Sequence, residues 1–175
     1  LSRYKNPRVK IHSLLKKGEI IRIKKGLYVF GSALARKPYS KETLANLIYG
    51  PSYISLEYAL SFYGLIPERV ETVTSVTNKR NKYFSTPIGV FSYRYIHPSL
   101  YSLGITLSLL DTSHSILIAT KEKALADMLY FSNKIMNETQ MKQYLFESVR
   151  LDKKEIKKCS LKEMKKLALS YKGNV

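Results

Sequence analysis

Cysteine is almost absent from this chain of 175 residues, in which Cys159 is the single example. One thiol cannot form an internal disulfide, and it excludes a zinc site built from several cysteines. The three histidines, His12, His97 and His114, are far apart and show no spacing typical of metal ligands. We therefore expect no metal and no other cofactor, and a reducing, cytoplasmic location.

Long hydrophobic runs and the motifs of common active sites are also missing. The longest apolar stretches, such as residues 116–119, are far too short to cross a bilayer, and no signal peptide is visible. Neither a glycine-rich phosphate loop nor a G-x-S-x-G turn is present. Glu155 with Lys157, and Glu163 with Lys165, resemble half of a nuclease site, but both pairs fall in predicted helices. We therefore expect neither membrane association nor enzymatic activity.

Acidic residues are scarce, since 13 Asp and Glu stand against 30 Lys and Arg and give a formal net charge of +17. The first 41 residues hold twelve Lys or Arg and one acid, Glu19. Residues 42–120 are electrically neutral, whereas residues 121–175 again carry more bases than acids. Such clustering favours a surface that binds nucleic-acid phosphates, and a generally basic, soluble protein is the alternative.

The basic first segment is predicted to begin with a helix over residues 7–17. Asn6-Pro7 is a typical helix start, because Asn caps well and Pro at the first helical position needs no N–H partner. Gly18 is a typical stop. The apolar residues of this helix recur at helical spacing and form the predicted buried stripe, which consists of Ile11, Leu14 and Leu15.

A β-hairpin is predicted after this helix, with strands over residues 19–24 and 27–30 around Lys25-Gly26. A helix followed by a basic hairpin is typical of the second half of a winged helix-turn-helix, in which the helix enters the major groove and the wing reaches phosphates or the minor groove. The residues predicted to contact DNA are Arg8, Val9, Lys10, Ser13, Lys16, Lys17, Arg22, Lys24 and Lys25. Val9 and Ser13 are the candidates for base contact, and the lysines for phosphate contact.

Two core helices are predicted next. Ser40 caps the first, which ends at Gly50-Pro51. Its inward-facing residues are predicted to be Leu44, Leu47 and Ile48. The second runs from Ser55 to Gly64, and its apolar residues are Leu56, Ala59, Leu60 and Tyr63.

The chain then changes to a β-rich pattern, with strands predicted over residues 70–77, 82–85, 90–96 and 115–119. A basic turn at residues 78–81 joins the first two. Phe91, Tyr93 and Tyr95 share one face of their strand, where aromatic side chains stack on unpaired bases or pack in a core. Core packing is the favoured interpretation.

Helices are predicted for the rest of the chain. Thr120 opens one whose apolar stripe contains Ala124, Leu125, Met128 and Leu129, with Asp127 at its border. Another is predicted over residues 138–148. Asp152 with Glu155, and Ser160 with Glu163, form predicted capping boxes for two more. In the last helix, the predicted apolar residues are Leu161, Met164, Leu167 and Ala168.

Secondary contacts with nucleic acid are predicted at two further basic groups, which comprise Lys79, Arg80, Lys162, Lys165 and Lys166. For the three lysines of the last helix, a solvated helix that covers the sheet is the favoured alternative.

Three segments resemble the AbiEi family, the antitoxin component of bacterial abortive-infection toxin–antitoxin systems. The longest is SYISLEYALSFYGLIPERVETVTSVTNKRNKYFSTPIGVFSYRYI at residues 52–96, and IATKEKALADMLYF at residues 118–131 is similar to a later block. GEIIRIKKGLYVF at residues 18–30 resembles the preceding wing. The similarity covers about residues 6–132.

The resemblance implies a transcriptional regulator that represses its own operon by binding inverted repeats in double-stranded DNA. It implies that the recognition helix is Pro7–Lys17, the wing is Ile20–Phe30 and the antitoxin domain starts near Tyr39. The toxin partner would be a nucleotidyltransferase-like protein that need not form a stable complex with the antitoxin.

The expected fold class is therefore α+β, with a winged helix-turn-helix at residues 1–38 and a mixed α/β antitoxin domain at residues 39–175. The core of that domain extends to about residue 119, and residues 120–175 are helical. Only residues 1–5 precede the predicted recognition helix, whereas a winged helix has one or two helices there. We therefore expect a winged helix that is truncated at its start.

Two other functions remain open at this point. The protein could bind RNA and protect the toxin's RNA substrate, using residues 91–95 and the Lys79-Arg80 turn. Alternatively, it could neutralise the toxin by direct binding, with its basic C-terminal helices docked on an acidic surface.

Overall fold

The computed structural model describes residues 5–35, 39–110, 114–132 and 137–172. Within these ranges the chain has an α+β fold, as predicted, with a two-stranded ribbon and a six-stranded mixed sheet. The predicted domain boundary at residue 38 lies outside the described residues. The helices are α1 (Pro7–Lys16), α2 (Lys41–Ile48), α3 (Leu56–Phe62), α4 (Pro98–Tyr101), α5 (Lys121–Phe131), α6 (Glu138–Gln143), α7 (Lys153–Ile156) and α8 (Leu161–Lys172).

The ribbon consists of β1 (Ile20–Lys24) and β2 (Leu27–Phe30). The strands of the sheet are β3 (Ser52–Ile54), β4 (Val73–Thr77), β5 (Lys82–Thr86), β6 (Gly89–Tyr95), β7 (Ile105–Leu109) and β8 (Ser115–Ala119). A π-helical turn, Tyr144–Ser148, continues α6. None of the helices in the described part of the chain is long and apolar enough to cross a membrane.

The helix and hairpin predicted for the basic segment are confirmed. Gly18 adopts φ +67°, a left-handed conformation that ends α1 and turns the chain into β1. The Asn6 side chain makes no capping hydrogen bond to α1, so the prediction of an Asn cap was wrong. The predicted stripe Ile11, Leu14 and Leu15 is half-buried, and none of the ten residues of α1, all within the described ranges, is fully buried.

The six strands of the sheet lie in the order β5-β6-β4-β3-β8-β7. β4 pairs parallel with β6, and β3 pairs parallel with β8, while the other neighbours are antiparallel. The predictions for β4, β5, β6 and β8 are confirmed within a few residues at their ends. The sequence pattern does not predict β3 or β7, because a three-residue strand and a strand at the sheet edge carry weak periodic signals.

Helices cover both faces of this sheet. Register places Ile54, Ser75 and Tyr93 on one face, and their sequence neighbours on the other. The Tyr93 hydroxyl donates to the Ala45 carbonyl of α2 at 2.6 Å, so α2 covers the first face. On the other face, the Tyr53 hydroxyl donates to Asp127 of α5 at 3.1 Å.

The caps predicted for α2 and α5 are confirmed. Ser40 Oγ accepts from the Thr43 N–H at 3.0 Å, and Thr120 Oγ1 accepts from the Lys123 N–H at 3.2 Å. Leu44 and Ile48 of α2 are buried as predicted, but Leu47 is 57% exposed, so its prediction as a core residue was wrong. Ala45 is buried instead, because α2 presents that position to the sheet.

An ion pair lies at the centre of the contact between the sheet and the C-terminal helices. Lys123 Nζ and Asp127 Oδ1 are 3.1 Å apart, and both side chains are fully buried. Lys123 also donates to the Leu100 carbonyl at 2.8 Å and to the Tyr171 hydroxyl at 2.5 Å, so the three ammonium protons have three acceptors. Tyr171, from α8, in turn donates to Asp127 Oδ1.

Asp127 is held equally well on its other oxygen. Oδ2 accepts from the Ser55 hydroxyl at 2.7 Å and from the Tyr53 hydroxyl. Burial raises the pKa of Asp127 and lowers that of Lys123, because each charge loses its water, and the opposite charge counteracts both shifts. Each member of the pair therefore depends on the other for its charge.

The C-terminal helices agree with the sequence in part. Asp152 Oδ1 caps α7 as predicted, but the Asp152 N–H donates to the Leu65 carbonyl at 2.9 Å, so the Glu155 half of the predicted capping box is absent. Ser160 Oγ caps α8 at Glu163, but the Ser160 N–H donates to Glu122 of α5 at 2.8 Å, so the reciprocal half of that capping box is absent.

The apolar face of α8 differs from the prediction as well. Met164 and Leu167 lie inward, but Leu161 and Ala168 are exposed, so their prediction as inward-facing residues was wrong. Tyr171 is buried in their place. The reason is that α8 packs chiefly on α5 rather than on the sheet, and the buried ion pair draws Tyr171 inward.

Replacing Asp127 with Ala leaves the Lys123 charge buried without its partner. We expect the free energy of unfolding to fall by about 3–5 kcal/mol, measured by urea denaturation followed by circular dichroism. Glu138→Ala is the matched control, because it breaks an exposed Lys–acid pair of the same i,i+4 spacing and should change stability little. Equal losses in the two variants would contradict the role given to the buried pair.

Candidate nucleic-acid interface

The residues predicted to contact DNA from α1 lie mostly at the surface. Arg8, Lys16 and Lys17 are exposed, and Val9 is 65% exposed between them, while Lys10 and Ser13 are half-buried. Lys17 lies 4.0 Å from Glu19, a distance at the limit of an ion pair. In the described part of the chain, the side chains of Arg8 and Lys16 make no hydrogen bond or ion pair, so their charges are unpaired.

On the ribbon, the three predicted cations differ. Arg22 and Lys25 are exposed, and Gly26 at φ +86° makes the tight turn beside Lys25. Lys24 is half-buried, and its ammonium donates to the Ile48 carbonyl at the end of α2. Lys24 therefore attaches the ribbon to the body of the protein, a role that the sequence did not indicate.

The ribbon is fixed tightly to the end of α1. The Glu19 N–H donates to the Leu14 carbonyl at 3.0 Å, and the Gly31 N–H donates to the Glu19 carbonyl at 2.8 Å. A Cβ atom on Gly31 would lie 1.9 Å from the Gly18 carbonyl oxygen, so no larger residue fits there. These contacts set the angle at which α1 and the ribbon face a common ligand.

A second basic turn meets the same end of α2. Lys79, between β4 and β5, donates to the Gly50 carbonyl at 2.6 Å and lies 5.7 Å from the centre of the Tyr49 ring. Lys24 thus binds the last carbonyl of α2, at the negative end of the helix dipole, and Lys79 binds a carbonyl two residues beyond it. Arg80 is exposed beside them. The structure therefore brings the predicted Lys79-Arg80 contact next to the ribbon.

The three lysines predicted as secondary contacts on α8 are not part of this surface. Lys162, Lys165 and Lys166 are exposed, but α8 packs on α5, which covers the opposite face of the sheet from α2. The predicted contact residues that the structure describes consequently lie on two separate surfaces, one around α1, the ribbon and the β4–β5 turn, and one on α8.

The aromatic face of β6 is mostly unavailable to a ligand. Phe91 and Tyr93 are fully buried against α2, which confirms core packing for these two rings. Tyr95 is 45% exposed and lines a shallow pocket of about 640 Å³ with Tyr49 and the β4–β5 turn. A surface for stacking several unpaired bases on this strand is therefore reduced to one ring.

The acid-x-Lys pairs noted in the sequence do not assemble into a site. Glu155 is bonded to Lys158 at 2.5 Å on α7, and Glu163 is exposed on α8. Among the residues that the structure describes, no group of three or more His, Cys, Asp or Glu side chains is arranged to hold a metal ion.

No protein-family model and no curated protein matches this chain. The most prominent feature of the candidate interface is the basic surface of α1 and the ribbon.

The different roles of the two ribbon lysines are testable. Lys24→Ala should lower the free energy of unfolding by about 1 kcal/mol, because the Ile48 carbonyl loses its half-buried donor. Lys25→Ala, at the adjacent exposed position, should leave stability unchanged. Urea titrations of the two variants give the comparison, and equal stability would show that Lys24 is as free in solution as Lys25.

Proposed function

We propose that this protein is a DNA-binding transcriptional autorepressor and the antitoxin of an abortive-infection toxin–antitoxin system. The observation that carries the proposal is the concentration of exposed cations on α1 and the adjoining ribbon. The resemblance to the AbiEi family supplies the biological context, and the absence of a recognisable active-site motif in the sequence is compatible with it.

In this proposal, α1 and the ribbon act as the recognition helix and wing of a winged helix-turn-helix. A ten-residue helix is about 15 Å long, which suits insertion of one face into a major groove about 12 Å wide. Val9 lies at the centre of the exposed face, where its methyl groups would reach a thymine methyl. Ser13 lies beside it as a hydrogen-bonding partner for a base edge.

Phosphate contacts would come from the cations around these two residues. Arg8, Lys16 and Lys17 flank the exposed face of α1, and Arg22 and Lys25 extend the charge along the ribbon. These contacts position the protein on the duplex without reading its sequence. Arg80, brought to the same end of α2, would lengthen the phosphate track beyond the wing.

The neutral middle of the chain would supply the antitoxin activity. It forms the six-stranded sheet that α2 covers on one face and α5 on the other, and it holds the longest segment of family resemblance. A nucleotidyltransferase-like toxin is the proposed functional counterpart, without a stable complex between the two proteins. Inverted repeats in the operator would bring two copies of the protein together on DNA.

The salt dependence of binding tests the interface. For about six neutralised phosphates, affinity for duplex DNA from upstream of the protein's own operon should fall roughly a thousandfold between about 50 and 200 mM salt. Arg22→Ala with Lys25→Ala should reduce the slope of log affinity against log salt by about two. Fluorescence anisotropy with labelled duplexes provides the measurement.

A matched control separates local contacts from net charge. Arg69→Ala with Lys142→Ala removes the same two charges, but both side chains already pair with acids, Glu71 and Glu138. This control should retain the wild-type slope. Equal losses in both double variants would mean that the ribbon contributes only bulk charge. Tighter binding to single-stranded RNA than to duplex DNA would favour the RNA-binding alternative instead.

A further inference from the structure

The C-terminal helices line an apolar chamber, partly open to solvent beside the exposed Ala168 and Lys172, that the proposed DNA-binding function does not use. Its volume is about 480 Å³, and it lies between α5, α6, α7 and α8. The wall is built mainly from aliphatic and thioether side chains, including Leu125, Leu129, Met141, Leu145 and Met164. Glu122 and Lys172 are the charged residues that border it.

The chamber is left open because two small residues line it and because hydrogen bonds hold one tyrosine side chain at its wall. Ala126 of α5 and Ala168 of α8 both line it, and neither side chain is large enough to fill the space between these helices. The Tyr171 side chain is large enough to fill the space, but its hydroxyl is hydrogen-bonded to the buried Lys123–Asp127 pair. The ring therefore forms one wall of the chamber and cannot swing into it.

Lys165, Leu169 and Lys172 of α8 form a basic surface beside the chamber, which we call the shelf. A second pocket is lined by Lys165, Ala168, Leu169 and Lys172, so it shares Ala168 and Lys172 with the chamber. Lys165 and Lys172 are two helical turns apart on the same side of α8. Leu169 between them is 75% exposed. The carboxylate at the border of the chamber, Glu122, accepts from the Ser160 N–H at 2.8 Å.

We propose that the chamber and the shelf together bind a single-chain anionic amphiphile. Its acyl chain would fill the chamber, and its carboxylate or phosphate would lie between Lys165 and Lys172. The volume is within the range of small-molecule sites, about 300–1,000 Å³. At roughly 30 Å³ for each small group, it accepts about 16 groups, which suits a chain of medium length.

Other occupants fit less well. Three turns of a partner helix, about 10 Å wide and 16 Å long, would need more than ~1,000 Å³. Nucleic acid would use the lysines but would gain nothing from an apolar chamber. An amphiphile uses both features, since its apolar part leaves water while its charged head meets two cations.

A bound acyl chain would also affect the buried ion pair. The chain would pack against the Tyr171 ring, whose hydroxyl contacts Asp127 and Lys123. Ligand that binds only the folded protein raises its stability by mass action. Occupation of the chamber would therefore strengthen the attachment of α8 to α5 and, through Asp127, to the sheet.

Methyl NMR of the full chain with ¹³C-labelled methionine tests the chamber directly. Dodecanoate, kept below its micelle-forming concentration, should shift the Met141 and Met164 signals saturably. Met128 is the internal control, because it is buried on α5 and does not line the chamber. Saturable binding of dodecanoate that leaves the Met141 and Met164 signals unshifted would overturn the proposal. The absence of saturable binding would overturn it as well.

Charge variants test the shelf. Lys165→Gln with Lys172→Gln should weaken dodecanoate binding at least tenfold and leave dodecanol binding unchanged, as measured by titration calorimetry. Lys162→Gln with Lys166→Gln removes the same charge from neighbouring positions outside both pockets and should change neither affinity. Equal weakening by the two double variants would overturn the assignment of the head group to the shelf.

A third arm distinguishes a monomeric ligand from a membrane surface. Vesicles of phosphatidylglycerol present the same anionic chemistry, and their binding would respond to all four lysines through surface charge. Binding to vesicles without binding to monomeric dodecanoate would overturn the proposal in favour of a peripheral membrane contact. All these measurements are independent of DNA binding by α1 and the ribbon.

Discussion

The buried ion pair between Lys123 and Asp127 is the interaction on which the arrangement of the larger part of the protein depends. It joins three elements, because Asp127 lies on α5, accepts from Tyr53 and Ser55 of the sheet region, and accepts from Tyr171 of α8. A buried pair of this kind contributes little net stability over an apolar equivalent, but it penalises any packing that leaves a member unpaired. It therefore fixes where α8 lies, and with it the shape of the apolar chamber.

Features of the fold that depend on a few neighbouring residues could be predicted from the sequence. Features that depend on contacts between distant segments could not. The caps at Ser40 and Thr120 and the stop at Gly18 are encoded within a few residues, and all three are confirmed. The burial of Lys123 could not be predicted, because a lysine in the first turn of a helix is usually exposed. Its partners Leu100 and Tyr171 lie in distant segments of the chain. β3 was missed for the same reason, since its pairing with β4 and β8 defines it more than its own three residues do.

The candidate interface also combines features that the sequence predicts with features that only the structure shows. Exposure of the cations on α1 follows from helical periodicity, so the sequence was sufficient to predict it. The sequence does not show that Lys24 points inward, because its acceptor is the Ile48 carbonyl at the end of α2. Lys79 is likewise placed by a distant acceptor, the Gly50 carbonyl. Lys24 of β1 and Lys79 of the β4–β5 turn bind the carbonyls of Ile48 and Gly50, which are two residues apart, so the ribbon lies beside the β4–β5 turn. The protein thus combines a central sheet from an electrically neutral part of the chain with a basic surface on α1 and the ribbon that is held in a defined position.

The proposed function requires that the basic surface of α1 and the ribbon recognises duplex DNA. Hydroxyl-radical footprinting of the full chain on DNA from upstream of its own operon tests it most directly. We expect two protected half-sites related as an inverted repeat, each with protected backbone on either side of one major groove. Uniform protection without preferred positions, or no protection at salt concentrations where the protein remains folded, would contradict it.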